Sequence, residues 1–276
     1  MTRPWIEFVQ SQRLPWCPDD LSGVRPGVEI KVLSRDADSG AASLLVRYPA
    51  NWRLEGVGAT SLSVDEEFLV LDGSLSIGAQ TYRDKGYAHL PAGYARGPMA
   101  SETGAVVLTF FSARPTPGTA TPFDPARLVE SLDAFAVPYT GKFHPEFPPG
   151  AGRKMLYEDP VTHNQSWLLG TLPMRWAERA EVHPVVEEMY LLSGESHGNR
   201  GVMRPGAYFW RPPQIPHGPN GTLTGNLYFF RTQGGALSTH YVDTARAFRW
   251  WPEYDPALPE ELAAARGEAV SAPRCW

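Results

Sequence analysis

The sequence EVHPVVEEMYLLSG, from Glu181 to Gly194, is followed closely by GAYFWRPPQIPHGPN, from Gly206 to Asn220. The first stretch alternates as a β-strand does, and residues two apart in a strand share one face. We therefore expect Glu181, His183 and Glu187 to point the same way. A second histidine, His217, follows a corner rich in glycine and proline. Two imidazoles and one or two carboxylates that converge inside a β-barrel would form a divalent metal site.

Both stretches resemble the two sequence motifs of the cupin superfamily. The first motif usually has two histidines one residue apart, then a glutamate and a closing glycine, and the second has a glycine, a proline and a third histidine. The residues that match are His183, Glu187 and Gly194 in the first motif, and Gly206, Pro212 and His217 in the second. Glu181 stands where the leading histidine is usual, and Gln214 where a glycine is common. The resemblance implies an all-β fold of jelly-roll barrels and a ligand set of two histidines with one or two carboxylates.

The motif region has a second copy in the first half of the chain. The segment Glu66–Gly73 (EEFLVLDG) aligns with Glu187–Gly194 (EEMYLLSG) at an offset of 121 residues. A repeat of this length predicts two copies of a whole domain, and the resemblance implies two tandem cupin barrels, a bicupin. The predicted domains are an N-terminal barrel at 1–125, a Pro-rich connection at 126–150, a C-terminal barrel at 151–245 and a tail with a short helix at 246–276.

The two halves differ at the positions that matter for a metal. At the offset of 121 residues, Arg96 corresponds to His217 and Leu62 to His183, while the carboxylate of Glu66 is retained. Transition metals favour imidazole ligands, which the first half lacks at these positions. We therefore expect the first barrel to be metal-free and to serve structure or a different ligand.

We predict one divalent metal per chain, bound by His183, Glu187 and His217. Imidazole and carboxylate ligands suit Fe(II), Mn(II), Zn(II) or Ni(II), and the resemblance to cupin dioxygenases favours Fe(II). Glu181 lies on the same strand face as His183. It is predicted to act as the catalytic base or as a fourth ligand, and a position at the rim of the barrel without either role is a third alternative.

The other polar residues of this half are expected to have ordinary roles. Glu188 should point away from the barrel interior and be a surface or interface charge. Arg211 and Arg231 could hold an anionic substrate group, although a surface or inter-barrel position is the more usual one. The histidines outside the motifs, which we expect to be exposed or peripheral, are His163, His197 and His240.

Composition excludes several classes of function. The chain has 276 residues, a net charge of −5 and 20% charged residues, so it shows no basic nucleic-acid footprint. Its two cysteines, Cys17 and Cys275, lie near opposite ends and predict no disulfide framework. No signal-peptide core or membrane-length apolar run is found, so we expect a cytoplasmic protein without a membrane partner.

Two helices and an oligomer are also predicted. Helix-forming residues fill Pro125–Phe135 in the connection and Pro259–Arg266 near the C-terminus. Cupin barrels have long strand edges, which natural proteins cover. We therefore expect a homodimer, which light scattering at micromolar concentration would detect.

The resemblance implies an enzyme that acts on a small molecule. A metal with about three protein ligands keeps positions open for substrate and for water or dioxygen. Bicupins with one metal site resemble dioxygenases that act on small oxygenated organic compounds, which is the favoured function. A metal-dependent lyase or isomerase and a non-catalytic small-molecule-binding protein remain alternatives, because the cupin fold supports all of them.

Overall fold

The computed structural model describes residues 3–55, 60–140, 150–243, 247–268 and 272–276. The chain divides into two compact units: Met1–Arg3 with Pro15–Ala136, and Pro4–Leu14 with Val137–Trp276. These boundaries differ from the predicted ones at two places. The segment Pro4–Leu14 belongs to the second unit, and residues 126–136 of the predicted connection belong to the first unit. In both cases the reason is a strand that pairs with a barrel sheet.

The described residues are nearly all β, as predicted. In chain order, the strands are β1 (Ile6–Gln10), β2 (Cys17–Asp19), β3 (Val28–Arg35), β4 (Ala42–Tyr48), β5 (Trp52–Leu54), β6 (Thr60–Leu62), β7 (Glu66–Gly73), β8 (Leu75–Ile77), β9 (Gln80–Tyr82), β10 (Gly86–Leu90), β11 (Met99–Ser101), β12 (Ala105–Phe111), β13 (Pro117–Thr119) and β14 (Val129–Asp133). They continue with β15 (Ala151–Glu158), β16 (Gln165–Thr171), β17 (Arg175–Trp176), β18 (Ala180–Val182), β19 (Val186–Gly194), β20 (Ser196–Gly198), β21 (Gly201–Met203), β22 (Ala207–Arg211), β23 (Gly221–Thr222), β24 (Asn226–Gln233) and β25 (His240–Val242).

The large sheets of the two units repeat one strand order. The first unit contains β14-β10-β7-β12-β4-β3-β2, and the second contains β1-β22-β19-β24-β16-β15. Strands β10, β7, β12 and β4 therefore correspond to β22, β19, β24 and β16, all in antiparallel pairs. The sequence repeat is thus a repeat of tertiary structure.

Each unit has an apolar core of its own. In the first unit the core includes Val46, Phe68 and Val107, which lie on β4, β7 and β12. In the second unit it includes Trp167 and Met189, on β16 and β19. The alternation of apolar residues along each strand places these side chains on one face, where their burial removes apolar surface from water.

A strand from outside the repeat covers the same edge of each sheet. In the first unit β14 pairs with β10, and in the second unit β1 pairs with β22. Unpaired strand edges expose backbone donors and acceptors, so a covering strand satisfies them. This pairing explains why Pro4–Leu14 and the segment up to Ala136 depart from the predicted boundaries.

The closing glycines of the repeat are required by local geometry. Gly73 and Gly194 have φ values of +73° and +77°, and a Cβ at either would lie 2.0 Å from a carbonyl oxygen, that of Gly104 or Gly225. Only glycine fits a left-handed backbone conformation in such close contact with another strand. The two copies therefore share a turn that fixes where β7 and β19 end.

Of the two predicted helices, the first is wrong and the second is present as a short 3₁₀ helix. The segment Pro125–Phe135 forms a 3₁₀ turn over Pro125–Arg127 and then β14, because pairing with β10 overrides helix propensity. The C-terminal segment forms a 3₁₀ helix over Glu260–Ala265. Cys17 and Cys275 are free. In the described parts of the chain, no helix is long and apolar enough to span a membrane.

Candidate metal centre

A backbone bridge brings the two motifs together in the second unit. The amide of Glu181 donates to the carbonyl of His217 at 2.9 Å, and the amide of His217 donates to the carbonyl of Glu181 at 3.0 Å. Residues that exchange both hydrogen bonds lie directly opposite each other, with side chains on the same face. The bridge therefore places Glu181 beside His217, and the strand alternation places His183 on the same side.

A second backbone contact explains the departure at Gln214. Its amide donates to the carbonyl of His183 at 2.8 Å, which ties the Pro-rich corner to the first motif. Gln214 has a φ of +66°, in the left-handed region that favours glycine. The position thus needs the conformation that the motif's usual glycine adopts easily, and Gln214 adopts it at some cost in strain.

The two histidines are oriented by backbone carbonyls. Nδ1 of His183 lies 2.9 Å from the carbonyl oxygen of Ser238, and Nδ1 of His217 lies 3.0 Å from that of Ile215. A carbonyl only accepts, so Nδ1 carries the proton in both rings. Each Nε2 is buried and has no hydrogen-bond partner among the described residues. A neutral imidazole held in this way presents its Nε2 lone pair to a metal.

Glu181, His183 and His217 form a group with metal-ligand spacing. One ligand atom of each lies within 4.8 Å of the others, and within the described residues this is the one such group of His, Cys, Asp and Glu. The imidazole centroids are 4.9 Å apart. The Oε1 atom of Glu181 lies 3.4 Å from Nε2 of His217. The buried, unpartnered nitrogens and the nearby carboxylate fit the donor set of a divalent transition metal.

Glu187 lies beside this group and is also held by an arginine. Its carboxylate oxygens lie 3.6 Å from Nε2 of His183 and 3.6 Å from Nε2 of His217. Its Oε2 also accepts a hydrogen bond from Arg211, which lies opposite Glu187 on β22. The structure therefore brings together all four of the predicted site residues, and ligation by Glu187 stays a prediction.

Arg211 is held in turn by a residue that the sequence did not reveal. Glu7, on β1, accepts hydrogen bonds from Nε and Nη2 of Arg211. Glu7 and Arg211 are both buried, which corrects the more usual surface position considered for Arg211. Glu7 is 174 residues before Glu181 and has no local signal in the sequence. Only the pairing of β1 with β22 brings it to the site.

The charges of this cluster shift the ionisation of its members. Burial alone would raise the pKa of Glu7, but Arg211 outweighs it and holds the pKa below its usual value. Burial would also raise the pKa of Glu181, but His217, followed by His183 and Arg211, lowers it to about 2. Burial and Arg211 lower the pKa of His217, while Glu181 and Glu187 raise it above its usual value overall. The carboxylate of Glu181 is therefore charged, as a carboxylate that binds a metal must be.

The cluster lies in the wall of a cavity of about 110 Å³. Apolar side chains, including Trp167, Met189, Phe209 and Phe230, line much of the cavity. Two further arginines, Arg175 and Arg179, also line it. The arrangement provides a metal-binding group beside a cavity of a size suited to a small molecule.

Two expectations about neighbouring residues are wrong. Glu188 is buried. Hydrogen bonds from Tyr208 at 2.5 Å and from Arg231 at 2.8 Å compensate for the burial of its carboxylate. His197 is fully buried. Its Nδ1 forms a hydrogen bond with the carbonyl of Trp250, and its Nε2 lies 3.1 Å from the carboxylate of Glu195. The remaining two histidines, His163 and His240, are exposed as predicted.

The first unit has an ion-pair network at the corresponding place. Glu66 pairs with Arg96, the residue that corresponds to His217, and with Arg25 at 3.0 Å. All three side chains are buried. Arg25 and Arg96 outweigh the effect of burial and hold the pKa of Glu66 below its usual value. In the first unit, two guanidinium groups therefore neutralise Glu66. Its counterpart in the second unit, Glu187, lies beside the metal-binding group.

Comparison with known families decides the membership of this chain. A family model described as a domain of unknown function, DUF4437, matches residues 7–239. The chain belongs to the DUF4437 family. The match spans both units of this family member, and no curated protein matches its sequence.

Solved structures share the fold of this family member. A candidate dioxygenase from Nostoc punctiforme is 20% identical, with a TM-score of 0.72 over 88% of this chain and 87% of that chain. Oxalate decarboxylase from Bacillus subtilis is 11% identical, with a TM-score of 0.55 over 86% and 78% of the two chains. YlbA from E. coli, assigned to DUF861, is 13% identical, with a TM-score of 0.58 over 84% and 93%. At these identities the likeness shows the fold alone, and it confirms the predicted all-β fold of two tandem cupin-type barrels.

Proposed function

We propose that this protein is a metal-dependent cupin enzyme, a dioxygenase that acts on a small oxygenated organic compound. The observation that carries the proposal is the pair of buried imidazoles, His183 and His217. Each has Nδ1 fixed by a backbone carbonyl and Nε2 without a hydrogen-bond partner among the described residues. A buried, unsatisfied nitrogen costs about 1–3 kcal/mol, and a metal bound by both would remove that cost.

The donor set supports iron as the favoured metal. Two histidines and one carboxylate with open positions are typical of non-haem Fe(II) oxygenases. In this chain His183, His217 and Glu181 have the required spacing, and Glu187 lies close enough to take part. When bound, Fe(II) would supply the site at which dioxygen and substrate are activated. Mn(II), Zn(II) and Ni(II) suit the same donors.

The protein's own residues would orient and protect the reactants. The Glu7–Arg211 pair holds Glu187 in place through a buried ion pair, which keeps one carboxylate oriented beside the histidines. The apolar wall, with Trp167, Phe209 and Phe230, excludes water from the substrate. Glu181 is 27% exposed at its side chain, so it can reach a bound substrate as well as a metal.

Metal analysis coupled to oxygen uptake tests this proposal. Freshly purified protein should contain about one transition metal per chain, and His217→Ala should lose it while the thermal midpoint stays within a few degrees. The matched control is His163→Ala, because His163 is an exposed histidine of the same unit and its loss should leave metal content unchanged. Two metals per chain, or full metal content in His217→Ala, would contradict the assignment.

The same site also supports a metal-dependent lyase or isomerase. The accessible carboxylate of Glu181 beside His217 favours this second candidate, because it could act as a base without dioxygen. If the protein converts the same substrate under strict anaerobiosis, the dioxygenase proposal is wrong and the lyase or isomerase proposal takes its place. Stoichiometric binding of a metabolite without conversion by the metal-loaded protein would favour a non-catalytic binding protein.

A further inference from the structure

A second cavity lies in the first unit, apart from the metal-binding group. Its volume is about 200 Å³, and every residue that lines it belongs to the first unit. A single water needs about 10–15 Å³ of such a volume, so the cavity has room for a small organic molecule. The sequence predicts that the first barrel serves structure or a different ligand, and this cavity is a candidate place for that ligand.

One part of the cavity wall is the apolar interior of the first barrel. Leu44 on β4, Phe111 on β12 and Leu21 in the loop after β2 line the cavity, and all three are buried. The same three side chains belong to the apolar core of this unit. An apolar group that enters the cavity would leave water for this surface, which favours its binding.

The rest of the wall carries charges of both signs. Arg35 and Arg114 line the cavity together with Asp19 and Asp20. The aspartates lie at the end of β2 and in the loop that follows it, whereas the arginines lie at the end of β3 and after β12. Two positive and two negative side chains cancel, so the wall is electrostatically complementary to a ligand that carries both signs and no net charge.

These charged groups do not pair with one another. The side chains of Arg35, Arg114 and Asp20 form no hydrogen bond or ion pair with any residue that the structure describes. Asp19 uses its Oδ1 to accept a hydrogen bond from the amide of Leu21 at 2.6 Å. Groups of opposite sign that share a wall without pairing are held apart, and a ligand with both charges can bind them together.

Backbone hydrogen bonds anchor both charged segments. The amide of Arg114 donates to the carbonyl of Ser39 at 2.9 Å, which fixes it against the turn that follows Arg35. The amide of Arg25 donates to the carbonyl of Asp20 at 2.8 Å, and the side chain of Arg25 is buried in the barrel. Both segments are therefore in place without a ligand, and a preorganised wall binds at a lower entropic cost.

We propose that this cavity binds a free α-amino acid with an apolar side chain. At neutral pH such a molecule carries one carboxylate and one ammonium group. The arginines donate to the carboxylate, the aspartates accept from the ammonium group, and the apolar side chain packs against Leu44 and Phe111. Because the site needs no metal, it is independent of the proposed function.

Calorimetric titration with L-leucine and two analogues tests the proposal. Isocaproate lacks only the ammonium group of leucine, and isopentylamine lacks only its carboxylate. We expect leucine to bind at least about tenfold more tightly than either analogue, because each analogue leaves charges of one sign on the wall without a partner. Equal affinities for leucine and either analogue, or no binding of leucine in the low millimolar range, would overturn the inference.

Substitutions of the two charge types locate the binding. Arg114→Gln and Asp20→Asn should each lower the affinity for leucine about tenfold, and Arg114→Lys should restore part of it. Both side chains are exposed, so the thermal midpoint should stay within a few degrees. The matched control is Arg83→Gln, because Arg83 is an exposed arginine of the same unit that does not line the cavity. An affinity that Arg114→Gln or Asp20→Asn leaves unchanged would contradict the proposed site.

The metal-binding group provides a second control, since a free amino acid can also chelate a metal. His217→Ala should bind leucine as tightly as the wild-type protein does, whatever its metal content. Loss of leucine binding in His217→Ala would assign the binding to the second unit and overturn the inference. Wild-type protein that contains no metal but binds leucine through Arg114 and Asp20 would contradict the proposed function and support the inference separately.

Discussion

His183 and His217 show how single residues are prepared for metal binding. Each uses Nδ1 to donate to a backbone carbonyl and leaves Nε2 bare in a buried position. Their identity as candidate ligands could be predicted from the motifs. The carbonyls of Ser238 and Ile215, which fix the rings, could not, because any residue has a carbonyl. Conformation alone decides which carbonyl faces a ring.

The variant Glu181→Gln distinguishes the two proposed roles of Glu181, metal ligand and catalytic base. The amide keeps the size of the side chain but loses its negative charge, so metal affinity should fall about 10–100-fold if Glu181 is a ligand. If it is instead the base, metal affinity should hold and kcat should fall. Competition with a chromophoric chelator measures the first quantity, and steady-state turnover measures the second. Unchanged affinity together with unchanged turnover would exclude both roles.

Glu7 should act on the metal through Arg211. In Glu7→Gln the charge of Arg211 loses its main compensation, so the positive field at the site rises. We expect metal affinity to fall about tenfold, as is usual when an outer partner of a ligand is changed. Chelator competition measures the affinity, with Glu253→Gln as the control at an exposed carboxylate of the same unit. Equal affinities of the two variants would show that the Glu7–Arg211 pair serves stability alone.

Among the elements, β19 and β1 each bring one carboxylate to the site, that of Glu187 and that of Glu7. β19 presents Glu187, and its alternation could be predicted from the sequence. The position of β1 could not be, because it pairs with β22 about 200 residues later in the chain. The same limitation explains why the prediction that Glu188 is exposed was wrong. Alternation places it on the opposite face from Glu187, but that face is covered by Tyr208 and Arg231.

The turn that ends β19 should tolerate no side chain. In Gly194→Ala the new Cβ would lie 2.0 Å from the carbonyl oxygen of Gly225, in a backbone with φ of +77°. We expect a loss of unfolding free energy of about 3 kcal/mol or more, since backbone strain and a clash combine. Gly234→Ala is the control, because its φ is +95° but nothing lies within 4 Å. It should cost about 1–2 kcal/mol. Urea unfolding measures both, and equal losses would show that φ alone matters.

At the scale of the whole molecule, one fold has two different interiors. The second unit presents two histidines and a carboxylate to a cavity, whereas the first unit encloses Glu66 between Arg25 and Arg96. The substitution of His217 by its counterpart Arg96 could be predicted from the repeat. The contribution of Arg25 could not be, since it lies outside the aligned motifs. The homodimer stays a prediction.

The network around Glu66 should stabilise the protein only above acidic pH. The folded-state pKa of Glu66 is lowered, so its contribution is complete above the unfolded-state pKa of about 4.3. It is lost as the pH falls through the folded-state value. At pH 7, Glu66→Gln should lower the unfolding free energy by about 3–5 kcal/mol, because two buried arginines lose their partner.

Urea unfolding at several pH values measures this effect. The difference between wild type and Glu66→Gln should shrink below about pH 4. Glu29→Gln is the control, since Glu29 pairs with Arg47 at a site where both side chains are about 40% exposed, and it should change stability by less than about 1 kcal/mol. A difference that stays constant from pH 7 to pH 3 would show that the charge of Glu66 is not what stabilises the first unit.

The sequence by itself determined the strands of the two motif copies, the repeat and the candidate ligands. Alternation, turn glycines and the 121-residue offset are local or periodic features, so they can be recognised from the order of the residues alone. Only the tertiary structure decided that Glu7 holds Arg211, that Glu188 and His197 are buried, and that Glu181 exchanges hydrogen bonds with His217. Burial and charge pairing depend on which distant segments pack together, and propensity carries no information about those partners.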